Sequence, residues 1–215
     1  MSQRKKTLCI VVVDDHAIFR RGVRDILMES LPQARVVEAG DAPTAMRVID
    51  TNSPDLVVLD ISMPGRTGVD LLRDINQAHP SLPVLVLSMH PEEQYAVRVL
   101  KAGAAGYLTK MLAPNELVKA VEQILGGEQY VSDALGQLLA RRMTRSEAPL
   151  PHELLSPREH EIMLQLAVGK PLKEIALDLS ITIQTVSTHR SRILRKMGFK
   201  TNAELTRYAV EQKLI

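Results

Sequence analysis

Short apolar runs alternate with amphipathic stretches from residue 7 to about residue 125. Segments of helical period, such as Ile18–Met28 and Val69–Ile75, fill the gaps between the runs. The apolar runs are Leu8–Val13, Arg35–Glu38, Leu56–Leu59, Val84–Leu87 and Gly106–Leu108. Nearly continuous apolar strands that alternate with helices are typical of βαβ units in a parallel sheet covered on both faces. This part of the chain is therefore predicted to be an α/β domain with a doubly wound, five-stranded parallel sheet.

The pattern changes after Gly126-Gly127. The stretch MTRSEAPLPHE carries two prolines and few apolar residues, which is typical of a linker. Beyond it, Ser156-Pro157-Arg158-Glu159 has the serine, proline and glutamate that begin a helix. The later segments are predicted as a helix at Leu172–Leu179, a turn at Ser180-Ile181-Thr182, a helix from Ile183 to Met197 closed by Gly198, and a last helix from Asn202. We predict a first domain at 1–128, a linker at 129–150 and a small all-α domain at 151–215.

Composition narrows the possible classes of protein. An apolar content of 45% with 24% charged residues is ordinary for a soluble globular protein, and no apolar run is long enough to span a bilayer. The only cysteine, Cys9, excludes an internal disulfide, and a reducing cytoplasm is the expected location. Acidic residues are in excess over the first 130 residues and basic residues over the last 65, which suggests different partners for the two parts.

Polar side chains follow four of the five predicted strands at the point where each strand ends. Asp14-Asp15 follow the first strand, Asp60 ends the third, Ser88 ends the fourth and Lys110 follows the fifth. The carboxyl ends of parallel strands meet at one edge, so these groups are expected to lie together. Carboxylates gathered there would repel one another, and Mg²⁺ prefers oxygen ligands. The pocket is predicted to hold Mg²⁺ and an anion, with a carboxylate as nucleophile toward a phosphoryl group.

This set of residues, with Asp60 inside LDISMPGRTG, resembles the receiver domain of bacterial two-component response regulators over residues 7–125. The resemblance implies a flavodoxin-like fold in which Asp60 accepts the phosphoryl group. It also implies that Asp14, Asp15, Asp60 and the Ser62 backbone carbonyl hold Mg²⁺, and that Ser88, Lys110 and Tyr107 form the conformational relay. Many receivers have proline directly after the lysine, where this chain has Met111. His16, beside the acidic pair, is expected to cap or pack near the first helix.

The helix predicted at Ile183–Met197 has two different faces. Its apolar positions are Val186, Ile193, Leu194 and Met197, at a spacing that faces a small core. The opposite face has no acidic residue and carries Ser187, Thr188, Arg190, Ser191, Arg192, Arg195 and Lys196. A short helix and a tight turn precede it, which is the layout of a helix-turn-helix whose second helix enters the major groove. The pattern therefore favours binding to double-stranded DNA.

Residues 153–213 resemble the LuxR-type helix-turn-helix of NarL/FixJ-class regulators, with LSPRE, KEIA and TV..H....L.KM in order. The resemblance implies base-edge contacts from Ser187, Thr188 and Ser191. It implies phosphate contacts from Thr185, Arg190, Arg192 and Lys196. Family members often have lysine in place of Ser187 and Ser191, so sequence preference is expected to differ here. In the last helix, Leu205, Tyr208 and Ala209 form an apolar stripe that either packs within the domain or contributes a dimer contact.

Together these features are typical of a DNA-binding transcriptional response regulator and not of a metabolic enzyme. The resemblance implies that a sensor histidine kinase phosphorylates Asp60 and that phosphorylation promotes homodimers and promoter binding. One alternative is a phosphatase with an aspartate nucleophile, but Ser62 stands where such enzymes have a second acid. A second alternative is a DNA binder that works independently of phosphorylation and keeps a vestigial receiver.

Overall fold

The computed structural model describes residues 8–63, 68–89, 91–137, 150–179 and 181–215. Residues 64–67 within LDISMPGRTG, most of the predicted linker, and Ser180 in the predicted turn lie outside the described residues. The chain divides into two compact units, Met1–Thr144 and Arg145–Ile215. Within the described ranges, no helix combines the length and the apolar character needed to cross a bilayer.

The first unit is built on a five-stranded, all-parallel sheet, as predicted. Its strands are β1 (Leu8–Val13), β2 (Ala34–Ala39), β3 (Leu56–Asp60), β4 (Val84–Ser88) and β5 (Gly106–Thr109). Their order across the sheet is β2-β1-β3-β4-β5. The order reverses between β1 and β3, which places the topological switch point of the sheet beside these two strands.

Helices cover both faces of this sheet. They are α1 (Ala17–Ser30), α2 (Ala42–Asn52), α3 (Gly68–Ala78), α4 (Glu92–Lys101) and α5 (Ala113–Leu125). Alternate strand residues point to opposite faces, so Val11 and Val57 pack in the cluster that contains α2, α3 and α4. Ile10 and Val58 pack in the second cluster, against α1 and α5. Burial of both faces explains why the strands are almost uninterrupted apolar runs.

The chain after α5 remains part of the first unit for longer than the sequence predicts. Tyr130 pairs with Gly106 as an isolated parallel bridge at the edge of the sheet, and its side chain is 3% exposed. Leu135 is 1% exposed and lies in the same core cluster as α2, α3 and α4. The first residues of the predicted linker at 129–150 therefore include two side chains that pack in the core of the first unit.

The second unit is a small helical domain. After a 3-10 helix at Pro151–Leu154 come α6 (Pro157–Ala167), α7 (Leu172–Asp178), α8 (Ile183–Met197) and α9 (Asn202–Glu211). Ser156 and Glu159 form the predicted capping box of α6. Gly198 closes α8 at φ 73°, a left-handed conformation that glycine adopts without steric cost. Val186, Ile193 and Met197 pack in its core, as their helical spacing predicts.

Candidate functional site

An acidic pocket lies at the carboxyl edge of the sheet, beside the switch point. Val13 of β1 pairs in register with Leu59 of β3, so the next residues along the two strands, Asp14 and Asp60, are neighbours. Ligand atoms of Asp14, Asp15, His16 and Asp60 all lie within 4.8 Å of one another. Asp14 and Asp60 are buried and Asp15 is partly exposed, so the pocket opens to solvent on one side.

Lys110 is the cation that compensates the two buried carboxylates. Its Nζ lies 2.7 Å from Asp14 Oδ2 and 2.8 Å from Asp60 Oδ2. Its ammonium also stands 4.5 Å from the centre of the Phe19 ring, a cation–π contact. Burial alone would lower the pKa of Lys110, but the hydrogen bonds and charges of Asp14 and Asp60 together raise it. Burial raises the pKa of Asp60, and Lys110 and the Ser62 amide only partly oppose that change.

Backbone amides fix the second oxygen of each buried carboxylate. Asp60 Oδ1 accepts a hydrogen bond from the Ser62 amide at 2.9 Å, and Asp14 Oδ1 accepts one from the His16 amide at 2.8 Å. Helix α3 begins so close to β3 that a Cβ on Gly68 would overlap the Asp60 carbonyl and Ile61 Cα. Glycine is therefore required where α3 starts against the acidic pocket.

The remaining receiver residues occupy two different environments. Ser88 is buried at the end of β4, and its carbonyl accepts the Lys110 amide at 2.8 Å, which ties together the ends of β4 and β5. Tyr107 is fully buried, and it lies in the core cluster that contains Tyr95 and Leu135. The peptide bond between Lys110 and Met111 is trans.

Helix α8 carries the second candidate site. Thr182 caps the helix by accepting the Thr185 amide at 3.1 Å. The exposed side chains among the predicted contacts are Thr185, Ser187, Thr188, Ser191, Arg192 and Lys196, and Arg190 is half-buried. The hydroxyls of Thr188 and Ser191 donate to the carbonyls of Gln184 and Ser187, one turn earlier in the helix.

Two of the predicted phosphate contacts also have partners inside the domain. Arg190 Nε donates to Asn202 Oδ1 at 2.8 Å, which links α8 to α9. Lys196 Nζ donates to Glu159 Oε2 at 2.6 Å, which links α8 to α6. An ammonium has three donors, so this bond leaves two N–H groups of Lys196 for other acceptors.

Comparisons with known proteins connect both sites to one family. The profile of the response regulator receiver domain matches residues 10–122, and the profile of bacterial regulatory proteins of the luxR family matches residues 153–209. The chain belongs to the LuxR-type response regulators. This response regulator is 34% identical over 207 residues to the response regulator UvrY of Escherichia coli K12, covering 95% of this chain and 94% of that protein.

Two further relatives extend the comparison. The nitrate/nitrite response regulator protein NarL of Escherichia coli K12 is 33% identical, with 95% of this chain and 96% of that protein covered. A similar solved structure is that of RcsB from Salmonella enterica serovar Typhimurium bound to promoter rprA in the presence of the phosphomimetic BeF₃⁻. Its sequence is 27% identical to this chain. It covers 94% of this chain and 98% of that chain, with a TM-score of 0.65. The predicted class, a two-component response regulator with receiver and DNA-binding domains, is confirmed.

The three residues of the apolar stripe in α9 differ in their burial. Leu205 and Ala209 are fully buried in the core of their own domain, so they have no surface to offer a second copy, and only Tyr208 is partly exposed. Gln184, which was not predicted from the sequence, is exposed on the face of α8 that carries Ser187, one turn earlier in the helix. His16 occupies the cap position of α1 without a side-chain cap bond, and its Nδ1 lies 3.0 Å from Asp15 Oδ1.

Replacing Glu159 with glutamine is expected to destabilise the second unit by about 1 kcal/mol near neutral pH, because the charge-assisted bond to Lys196 is lost while glutamine keeps the cap. Although burial raises the pKa of Glu159, the bonds from Lys196 and Ser156 lower it overall. A carboxyl with a lowered folded pKa stabilises the fold above its ordinary value of 4.5 and loses that contribution as pH falls. Urea unfolding of this unit at several pH values should show the difference shrinking below that value.

The matched control for this prediction is Glu211→Gln, in an exposed pair whose Arg207 Nε lies 3.8 Å from Glu211 Oε1. We expect this control to change the free energy of unfolding by no more than about 0.5 kcal/mol. An equal loss of stability in the two variants would contradict a special role for the bond between Glu159 and Lys196.

Proposed function

We propose that Asp60 accepts a phosphoryl group from the phosphohistidine of a sensor histidine kinase. A carboxylate oxygen of Asp60 would form the new bond to phosphorus while the bond from phosphorus to the imidazole nitrogen breaks, leaving neutral histidine and an aspartyl phosphate. The observation that carries this proposal is the buried Asp60 carboxylate at the strand end, 2.8 Å from Lys110 Nζ and clustered with Asp14 and Asp15. Phosphoryl transfer to a carboxylate requires a nucleophile and a nearby positive charge, and this site offers both.

The acidic pocket fits Mg²⁺, because carboxylate oxygens of Asp14, Asp15 and Asp60 lie within 4.8 Å of one another and the pocket is open on the Asp15 side. Asp14, Asp15, Asp60 and the Ser62 backbone carbonyl would hold the ion. When bound, it would neutralise negative charge on the oxygens of the transferring phosphoryl group. Lys110 would add its own charge to the same oxygens, and Ser88 would donate a hydrogen bond to one of them.

Phosphorylation would then control binding to promoter DNA. The new phosphoryl oxygens would attract Ser88 and Lys110, and Tyr107 would respond in the core beneath them. The second unit would read base edges with Ser187, Thr188 and Ser191. It would contact phosphates with Thr185, Arg190, Arg192 and Lys196, as a homodimer on two half-sites. The RcsB relative was solved on promoter DNA in the presence of a phosphomimetic, which supports a link between phosphorylation and DNA binding.

The protein is proposed to regulate transcription and not to turn over a metabolite. Its one enzymatic property would be slow hydrolysis of its own aspartyl phosphate. Ser62 occupies the place of the second acid that an aspartate-based phosphatase needs as its general acid and base, and its hydroxyl cannot replace a carboxyl in that role.

Intact mass after incubation with acetyl phosphate and Mg²⁺ tests the proposal. The wild-type protein should gain the mass of one phosphoryl group, and Asp60→Asn should gain nothing because an amide is not a comparable nucleophile. The phosphorylated protein should then bind a promoter fragment more tightly than the unmodified protein in a gel shift. Equal mass gain in both proteins would place the chemistry elsewhere. No gain in folded wild-type protein, with unchanged DNA binding, would favour the phosphorylation-independent DNA binder.

A further inference from the structure

Beside the acidic pocket lies a group of three charged side chains that we call the arginine brace: Arg20 and Arg24 on α1 and Glu38 on β2. Arg20 Nε donates to Glu38 Oε2 at 3.0 Å. Arg24 Nη1 donates to the other oxygen, Glu38 Oε1, at 2.9 Å. Both oxygens of Glu38 are therefore engaged, and its carboxylate holds the guanidinium of Arg20 in one orientation.

The oriented guanidinium of Arg20 contacts the acidic pocket directly. Its Nη1 donates to the backbone carbonyl of Asp14 at 2.5 Å. The Arg20 side chain is only 18% exposed, so the bond is largely screened from water. Gly40, the residue after β2, lies beside the guanidinium, and a Cβ there would make ordinary van der Waals contact with Arg20 Nη1 at 3.5 Å. The Arg20 side chain therefore extends from α1 to Glu38 of β2, and its guanidinium contacts the backbone of Asp14.

Asp14 is held from four directions. Its amide donates to the Ala39 carbonyl at 3.1 Å, and its Oδ1 accepts the His16 amide. Its Oδ2 faces Lys110, and its own carbonyl accepts Arg20. Of these four contacts, only those of Arg20 and Lys110 come from charged side chains. Of these two, the Arg20 contact would keep its present geometry if the Asp14 carboxylate turned from Lys110 toward a bound cation, because its acceptor is the backbone carbonyl.

We propose that Arg20 is a positioning residue for metal binding by the acidic pocket. It acts through Asp14, by fixing the backbone of the turn that presents the Asp14 and Asp15 carboxylates. Arginine suits this role because its planar group offers several donors in a fixed arrangement, so it can bond Glu38 and the Asp14 carbonyl at once. A lysine ammonium lacks that planar fork. The inference rests on the proposed function, because it assumes that the pocket takes a divalent cation.

Binding of Mn²⁺ to the full-length chain, measured by isothermal titration calorimetry, tests the inference. Arg20→Ala and Arg20→Lys should each weaken Mn²⁺ binding by about tenfold, the low end of the effect expected when an outer-shell partner is lost. Glu38→Gln should weaken it less, because glutamine keeps an acceptor for Arg20 but loses its charge. Arg21→Ala is the matched control, since Arg21 is the next residue of α1 and is exposed. It removes the same charge without touching Asp14.

A second readout separates positioning from a general loss of structure. The rate of phosphorylation by acetyl phosphate, followed as a function of Mg²⁺, should show a higher half-saturating Mg²⁺ concentration in Arg20→Lys with a nearly unchanged maximal rate. Thermal unfolding of each variant is recorded in parallel. If Arg20→Ala does not fold, Arg20→Lys and Glu38→Gln provide the same comparison.

The outcomes distinguish this inference from the proposed function. Wild-type binding and phosphorylation combined with unchanged Mn²⁺ affinity in the Arg20 variants would overturn the inference alone. Equal weakening by Arg20→Ala and Arg21→Ala would also overturn it, because charge and not the bond to Asp14 would then be responsible. Wild-type protein that neither binds Mn²⁺ nor gains a phosphoryl group would overturn both. Selective weakening by the Arg20 variants would support it.

Discussion

Replacing Lys110 with methionine is expected to lower the free energy of unfolding of the receiver unit by about 3–5 kcal/mol in metal-free solution near neutral pH. Asp14 and Asp60 are 2% and 1% exposed, and Lys110 is the cation that contacts both. Methionine fills a similar volume but leaves two buried carboxylates without a compensating charge. Removing one partner from a buried ion pair lowers stability far more than replacing both partners with apolar residues, because the remaining charge is buried without compensation.

The effect should depend on pH with a definite sign. The pKa of Asp60 is already raised by its burial, and the loss of Lys110 removes the main influence that lowers it. A carboxyl whose folded pKa is raised destabilises the fold as pH rises from its unfolded pKa through its folded one. The penalty in Lys110→Met should therefore be largest near neutral pH and should shrink as the medium becomes acidic.

Urea unfolding followed by amide NMR signals of the sheet measures this effect in the full-length chain. Lys119→Met is the matched control, since the Lys119 side chain is 70% exposed and its pair with Glu116 spans 3.5 Å. We expect that control to change stability by no more than about 0.5 kcal/mol. Combining Lys110→Met with Asp60→Asn should recover part of the loss. A Lys110→Met protein as stable as the control variant would show that the pocket carboxylates are not charged in the metal-free state.

The strand ends were predictable from sequence because their chemistry follows from chain order. Once apolar runs such as Leu56–Leu59 are recognised as parallel strands, the acids and the lysine that follow them must meet at one edge. The same applies to α8, where helical period separates a buried face with Val186 and Ile193 from an exposed one. Local periodicity and topology were sufficient in both cases.

Contacts that depend on long-range packing were not predictable in this way. The bond from Arg20 to the Asp14 carbonyl joins a helix to a loop, and nothing in the local pattern separates Arg20 from the exposed Arg21 beside it. Lys196 stands on the basic face of α8, yet its ammonium reaches back to Glu159 on α6. The apolar stripe of α9 is compatible with a core or with an interface. The burial of Leu205 in the cluster of the second unit shows that this residue belongs to the core.

The segment after α5 is the clearest example of contacts that depend on long-range packing. Residues 129–150 are predicted as a linker from the weakened periodicity and the prolines of MTRSEAPLPHE, but Tyr130 forms a bridge with Gly106 at the edge of the sheet and donates its hydroxyl to Glu116 Oε2 at 3.1 Å. Ser132 Oγ donates to Glu92 at the start of α4 and accepts the Leu135 amide at 3.2 Å. The segment is therefore fastened to β5, α5 and α4 before it leaves the receiver.

Replacing Leu135 with alanine is expected to lower the free energy of unfolding of the receiver unit by about 2–5 kcal/mol, the usual result of truncating a buried leucine. Leu135 is 1% exposed, and its loss would leave a cavity in the cluster that contains Tyr95 and Tyr107. Urea unfolding followed by the amide signals of β4 and β5 measures the change. Gln137→Ala, two residues further along and exposed, is the matched control and should have almost no effect.

A large loss in Leu135→Ala alone would mean that the receiver core includes the first residues of the connection to the DNA-binding unit. Tyr107 and Leu135 belong to the same buried cluster, so a cavity at Leu135 would loosen the packing of the cluster that holds Tyr107. A rearrangement at Tyr107 would then act within the same buried cluster that contains Leu135. Equal, small effects of Leu135→Ala and Gln137→Ala would instead favour a linker that starts where the sequence predicts it, at residue 129.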